Sequence, residues 1–181
     1  MREKVLFLKN FFRNPLRNAS VIPSSKASSK AMLKGIDFNR VSVVVELGPG
    51  NGVFTQEIIK TVTADTKIIV FELEPTYINL LQNKFGDRIT LVNKSAHLLS
   101  ETLEELGIDK VDVIISGLPF LQGDIKQKTD EAIYQLTRRG TIYRFFTYMP
   151  GIMKNVYKEL PIEKKYFELR NIPPLWVYGI N

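Results

Sequence analysis

The chain has 181 residues, 44% of them hydrophobic and 24% charged, enough for one globular domain with a full core. It has no cysteine and a single histidine, which excludes disulfides, thiolate metal sites and histidine-rich metal sites. The net charge is +6, but eight of the 25 basic residues and one of the 19 acids lie in residues 1–34, so that segment carries +7 and the rest −1. A basic segment of this kind suits phosphate, on nucleic acid or on a lipid surface.

Residues 1–34 read as a basic amphipathic helical arm, and residues 35–181 as the body of what is overall a single domain. Arg2 to Asn14 has helical spacing and is stopped by Pro15. On a helical projection Val5, Phe7, Leu8, Phe11 and Phe12 share one half, and Arg2, Lys9, Asn10 and Arg13 the other. Adjacent phenylalanines flanked by cations fit a helix lying in a membrane surface, and equally a helix packed on its own domain. Ile22 to Ser29 reads as a polar turn leading into a short helix through Leu33. No apolar run approaches membrane-spanning length, and the N-terminus is too charged for a cleaved signal peptide.

From Val41 onward strand and helix signals alternate, which points to an α/β fold. Strands are predicted at Val41–Leu47, Lys67–Glu72, Thr90–Asn93, Val111–Ser116 and Thr141–Tyr148. Helices are predicted at Phe54–Thr61, Thr76–Phe85, Leu98–Leu106, Thr129–Leu136 and near Ile152–Tyr157. Tyr166–Arg170 and Leu175–Tyr178 read as a closing hairpin. His97 reads as a loop or helix-start histidine beside Ser95 rather than a catalytic group.

The first strand, Val43-Val44-Val45-Glu46-Leu47, runs into Gly48-Pro49-Gly50-Asn51-Gly52. Apolar β-branched runs of this kind are buried on both faces in parallel sheets. Glycines after such a strand turn sharply, admit a ligand closely and present free N–H groups at the next helix. The layout predicts a nucleotide-like cofactor. Glu72, 20 residues beyond Gly52, ends the second strand, where an acid accepts hydrogen bonds from both ribose hydroxyls. Glu74 would face the same side but lies farther from the strand.

G-x-G-x-G differs from the dinucleotide fingerprint, and no Walker lysine follows it. Glu46, two residues before the first glycine, would repel a pyrophosphate but attract an ammonium group. This favours S-adenosylmethionine over NAD or ATP. After the fourth strand comes Ser116-Gly117-Leu118-Pro119-Phe120, a rigid loop ending in an aromatic. It lies where functional residues of open α/β sheets gather, and an aromatic face attracts an ammonium.

Glu46 to Gly52, Glu72 and Ser116 to Phe120 resemble class I S-adenosylmethionine-dependent methyltransferases. The chain is similar, within that class, to soluble bacterial phospholipid N-methyltransferases. Phe11 to Arg17, Val21 to Ser25, Phe146-Thr147-Tyr148 and Asn171-Ile172-Pro173-Pro174 carry the resemblance over nearly the whole length. The rival is the rRNA adenine dimethyltransferase family, which shares the E-x-G-P-G loop. Its fourth-strand motif is typically N-L-P-Y, whereas Ser116 and Gly117 precede Leu118 here. That family also carries a C-terminal helical domain for which this chain has no room.

The resemblance implies a Rossmann-like fold, a mostly parallel seven-stranded sheet with helices on both faces, and S-adenosylmethionine as cofactor. It places Glu46 at the methionine end, Gly48, Gly50 and Gly52 in the loop, Glu72 at the ribose, and Ser95 with the backbone at Ala96 near the adenine. Ser95 stands where the family often has an acid. Ser116, Phe120 and Tyr148 would border the accepting amine, with Asp124 and Tyr148 as candidate bases. The expected substrate is the amine headgroup of phosphatidylethanolamine. The arm, through residues 1–17, would hold the enzyme peripherally on the anionic inner face of the cytoplasmic membrane. An RNA methyltransferase and a non-catalytic membrane-binding relative are the alternatives.

Overall fold

The computed structural model describes residues 26–181 apart from Pro119 and Ile172. The expected helix at Arg2–Asn14, the segment 1–17 and the first half of the turn at 22–29 lie outside the described residues. The body is a seven-stranded sheet in the order β3-β2-β1-β4-β5-β7-β6. The strands are β1 (Val43–Leu47), β2 (Lys67–Phe71), β3 (Thr90–Val92), β4 (Val113–Ser116), β5 (Ile142–Thr147), β6 (Glu163–Glu168) and β7 (Leu175–Ile180). Strands β1 to β5 pair in parallel, and β7 is antiparallel to both β5 and β6. The helices are α1 (Lys26–Leu33), α2 (Val53–Thr61), α3 (Pro75–Phe85), α4 (Leu99–Glu105), α5 (Gly123–Arg138) and α6 (Met153–Val156).

Alternation along β1 divides the core. Val43, Val45 and Leu47 face a cluster with Leu99 and Leu103 of α4 and Ala132 and Ile133 of α5. Val44 faces the opposite cluster, with Met32 of α1, Phe54 and Ile58 of α2, and Leu81 of α3. Burial on both faces is why the inner strands read as continuous apolar runs instead of alternating ones. No helix among the described residues is long and apolar enough to cross a membrane.

Most predicted elements are present, with three instructive departures. First, α1 begins at Lys26, and Ser28 and Ser29, expected in a polar turn, are fully buried. Ala31, Met32 and Leu33 belong to the core, so a boundary at residue 34 runs through packed structure and α1 is part of the body. Gly35, at φ +79°, ends this segment against the Tyr166 hydroxyl, where any Cβ would collide. Second, α5 starts six residues before the predicted Thr129. Its early turns have no apolar period and are held by a Lys126–Asp130 ion pair and by the Thr129 hydroxyl donating to the Ile125 carbonyl (2.7 Å). Third, β6 lies at Glu163–Glu168 instead of Tyr166–Arg170. It is an edge strand with a register shift between Lys164 and Tyr166, so its pattern does not alternate cleanly.

The burial of α1 makes a stability prediction. Met32 is fully buried, so Met32→Ala should cost ~2–5 kcal/mol in urea unfolding at unchanged m-value. A loss below ~1 kcal/mol would mean that α1 is not packed as described.

Candidate active site

The loops after β1, β2, β3 and β4 converge at the carboxyl edge of the sheet, the end at which open α/β folds bind ligands. Gly48, Gly50 and Gly52 have φ of +69°, +55° and +76°. A Cβ on Gly48 would strike Leu118, and one on Gly52 would strike Leu81 and Phe85, so these two positions are closed by packing. Gly50 differs: a Cβ there would meet nothing within 4 Å, so its backbone borders open space. Gly52 is the N-cap of α2 and makes no side-chain capping bond, which leaves the helix start to the loop.

Glu72 braces this loop. Its Oε2 accepts from the Gly50 N–H (3.1 Å), and its Oε1 accepts from the N–H groups of Leu73 (2.8 Å) and Glu74 (3.0 Å). Glu74 is occupied elsewhere, capping α3 by accepting from Thr76. Of the two acids, therefore, Glu72 reaches the glycine loop. Asn93, just past β3, donates to the Glu72 carbonyl (2.9 Å) and holds this turn from the other side. Its role follows from strand neighbours and left no local signal in the sequence.

Glu46 lies on the α2 side of β1 and is fully buried. Neither of its carboxyl oxygens has a well-formed hydrogen bond among the described residues, and the hydroxyl of Thr55 likewise has none. Burial pushes the carboxyl up to about 8; the neighbouring Thr55 donors offset this only in part, and Glu72 adds a smaller upward push. A buried carboxyl whose contacts with Thr55 fall short of well-formed hydrogen bonds, beside the glycine loop, keeps acceptor capacity for a donor from outside the chain.

Ser95 caps a short 3-10 turn at Ala96–Leu98 through its backbone, and its Oγ lies 2.8 Å from Nδ1 of His97. Ala96 is buried. The Ser95 hydroxyl is thus shared with His97, which is half-buried at a turn as expected. Ser116 is buried at the end of β4, with its hydroxyl turned under the loop toward α5. It accepts from the Leu118 N–H (3.4 Å) and is a hydrogen-bond partner of the Tyr143 hydroxyl. Tyr143 also pairs with Tyr157, and beyond them Lys126 lies 5.0 Å over the Tyr157 ring while ion-pairing Asp130. These groups close around a void of about 10 Å³, room for one water. Burial raises the pKa of Tyr143, Tyr157 and Asp130 alike, which makes each a weaker acid than usual. This cluster left no local signal in the sequence, because its members are far apart in the chain.

Phe120 packs with the α4–α5 cluster, whereas Tyr148 packs with the other, edge-to-face on Phe146 at 5.6 Å. Ser116 and Phe120 therefore share one loop, and Tyr148 stands on the other face of the sheet beyond β5. Asn171 donates to the Tyr148 hydroxyl (3.4 Å), and burial pushes that phenol up to about 12. At neutral pH it is protonated, which disqualifies it as a base. Asp124 is exposed in the first turn of α5. Gly117, part of the expected acceptor loop, has a further role that spacing did not show: a Cβ there would lie 2.6 Å from the Gly48 carbonyl, so the loops after β1 and β4 meet backbone to backbone.

A broad groove of about 1,120 Å³ runs elsewhere, along α5 against residues 97–101 and 155–160. Its lining mixes Glu101, Asp124, Lys126, Lys128, Glu131 and Lys158 and offers no glycine cradle.

The strand order, the glycine loop after β1 and the acid after β2, together with the family and relative described next, make this a class I S-adenosylmethionine-dependent methyltransferase. Residues 7–110 match the model of the family described as ribosomal RNA adenine dimethylase, and the chain belongs to that family. The ornithine lipid N-methyltransferase of Singulisphaera acidiphila is 31% identical over 98% of this chain and 95% of its own length. The ribosomal RNA small subunit methyltransferase A of Mycoplasma mycoides subsp. mycoides is 27% identical over 75% of this chain, which spans only 52% of that protein. The structure of Aeropyrum pernix fibrillarin with bound S-adenosyl-L-methionine superposes with a TM-score of 0.64, over 90% of this chain and 76% of that one, at 19% identity.

The residues present fit that cofactor. Glu46 offers unpartnered acceptors for an ammonium, Gly50 offers space, and Glu72 offers a carboxylate at the end of β2. Two predictions follow from this geometry. Glu72→Ala should weaken S-adenosylmethionine binding at least about tenfold by calorimetry, and unaltered affinity would remove Glu72 from the ribose. The second concerns Glu46. With its folded-state value near 8 against an ordinary 4.5, the folded apo protein holds a proton that the unfolded chain gives up. The cost to stability is absent below about pH 4, grows as pH rises through this window and is complete above it. Glu46→Gln should therefore match wild type near pH 4 and exceed its stability by a few kcal/mol near pH 9, read by urea unfolding. Parallel pH profiles would show that Glu46 ionises freely in the fold.

Proposed function

We propose that the chain N-methylates the primary amine of a membrane-lipid headgroup. The observation that carries this reading is the full-length match to a lipid N-methyltransferase, set against a match to only half of the rRNA enzyme. Gly117, where the rRNA family places its base-binding asparagine, supports the same choice. Phosphatidylethanolamine is the substrate to which the sequence reading points. Ornithine lipid presents the same primary amine.

S-adenosylmethionine supplies an electrophilic methyl group when bound. The residues of this chain hold and orient. Glu46 takes the ammonium end, Glu72 the ribose, and Ser95 and the Ala96 backbone the adenine side. The Gly48–Gly117 contact fixes the acceptor loop against the cofactor loop, so that an amine on the Phe120 side is held in line with the methyl group. The amine must be neutral to react, and its proton leaves to solvent at the carboxyl edge. Phe120, partly buried at the end of the acceptor loop, would favour the resulting ammonium through its aromatic ring. Residues 1–17 supply the attraction to anionic lipid, each basic residue contributing on the order of 1 kcal/mol, and make the protein a peripheral one on the inner face of the membrane.

The test mixes protein, methyl-labelled cofactor and three acceptors: phosphatidylethanolamine vesicles, ornithine lipid vesicles and rRNA. Label in either lipid is expected, and its place decides the headgroup. Label in rRNA alone, with salt-sensitive RNA affinity, would overturn the reading in favour of the RNA enzyme. Deletion of residues 1–17 should abolish sedimentation with anionic vesicles while the body keeps its urea midpoint. Unchanged sedimentation would sink the role given to the arm.

A further inference from the structure

The β6–β7 hairpin closes one edge of the sheet. Because β7 is antiparallel to both neighbours, β6 runs with the parallel strands, and the hairpin tip at residues 169–174 falls at the same carboxyl edge as the glycine loop. The two most exposed large apolar side chains among the described residues lie at this edge. They are Leu169 at the tip, 69% exposed, and Leu73 after β2, 59% exposed. Phe167, 46% exposed, stacks on Trp176 across the hairpin with ring centroids 4.5 Å apart. Lys164 stands over the same Trp176 ring at 5.7 Å, and the Arg170 side chain is 86% exposed. Glu163 and Glu168, the acids of this hairpin, are ion-paired with Lys165 and Arg170.

The tip is also tied to the end of β5. Asn171, buried at 2% exposure, donates to the Pro173 carbonyl (2.7 Å) and to the Tyr148 hydroxyl (3.4 Å). Arg170 and Leu169 therefore lie one and two residues from a point fixed to the segment just after β5. Single exposed apolar residues need no explanation, but leucine, phenylalanine and tryptophan grouped with lysine and arginine form the composition of a membrane interface. Aromatic rings sit at headgroup depth there, and cations meet anionic lipid.

We propose that the β6–β7 hairpin is a membrane-contacting finger which sets the mouth of the site against an anionic bilayer. The proposal rests on the lipid-headgroup reading and gives the hairpin a task separate from that of residues 1–17: the arm attracts, and the hairpin orients. The bilayer is favoured over a protein partner because the apolar residues stand beside cations at the carboxyl edge of the sheet, the edge that also carries the glycine loop.

Trp176 is the only tryptophan in the chain, so its fluorescence reports this one place. Full-length protein is titrated with vesicles of phosphatidylcholine and anionic phosphatidylglycerol, with either ordinary or brominated acyl chains. Bromolipid should quench Trp176, and Leu169→Ser and Arg170→Glu should each raise the half-saturating lipid concentration about fivefold or more. Leu169 is exposed, so the near-ultraviolet circular dichroism and urea midpoint of that variant should match wild type. Leu169→Ser should also slow transfer to vesicle lipid while leaving transfer to a monomeric short-chain aminolipid unchanged. Protein that sediments with brominated vesicles while Trp176 stays unquenched would overturn the proposal. So would a concentration-dependent dimer, seen by sedimentation equilibrium, that Leu169→Ser dissolves. Quenching without transfer to any lipid would sink the lipid-substrate reading and leave the finger standing, so the two failures are distinguishable.

Discussion

The contact between Gly48 and Gly117 sets the geometry of everything at the carboxyl edge. The Gly117 N–H donates to the Leu47 carbonyl at 2.8 Å, the Gly48 N–H donates to the Phe71 carbonyl at 3.0 Å, and no room remains for a Cβ between the two loops. The loop that receives the cofactor is thus held against the loop that receives the acceptor by main chain alone. Backbone held by a sheet on both sides moves far less than side chains do, and alignment of reacting groups depends on such stiffness. Any residue larger than glycine at position 117 would push the two loops apart before it touched a ligand.

The two acids of the site work under opposite conditions. Glu72 is half-buried and satisfied, with three main-chain N–H donors around its carboxylate, so it shapes the loop even without ligand. Glu46 is fully buried and unsatisfied, a cost that the fold carries until something with hydrogens to donate arrives. The first makes the cradle rigid, and the second makes it selective for a cation.

What could be read from the sequence was what is local in the chain. The glycine loop, Glu46 and Glu72 lie within 27 residues on adjacent strands, so their spacing alone carried the cofactor. The parallel sheet was legible because its inner strands are apolar on both faces. The start of α5 was not, since its first turns depend on an ion pair and a hydroxyl instead of an apolar stripe. Ser28 and Ser29 were misread because small polar residues signal a turn unless a neighbouring element covers them. Gly117, Asn93 and the Ser116–Tyr143–Tyr157 cluster depend on strand order, which spacing does not reveal.

The packing of α1 has a consequence for the order in which this molecule can be made. The first described helix is covered by β5, β6 and β7, the strands formed last, more than a hundred residues downstream. On the ribosome, Ala31, Met32 and Leu33 emerge early and can meet α2 soon afterwards, but their cover stays incomplete until β5, β6 and β7 have formed. Closing so long a loop is slow and delays completion of the core. Loss of a few residues from β7 would therefore unseat α1, and the nascent protein stays exposed to aggregation until β7 has emerged.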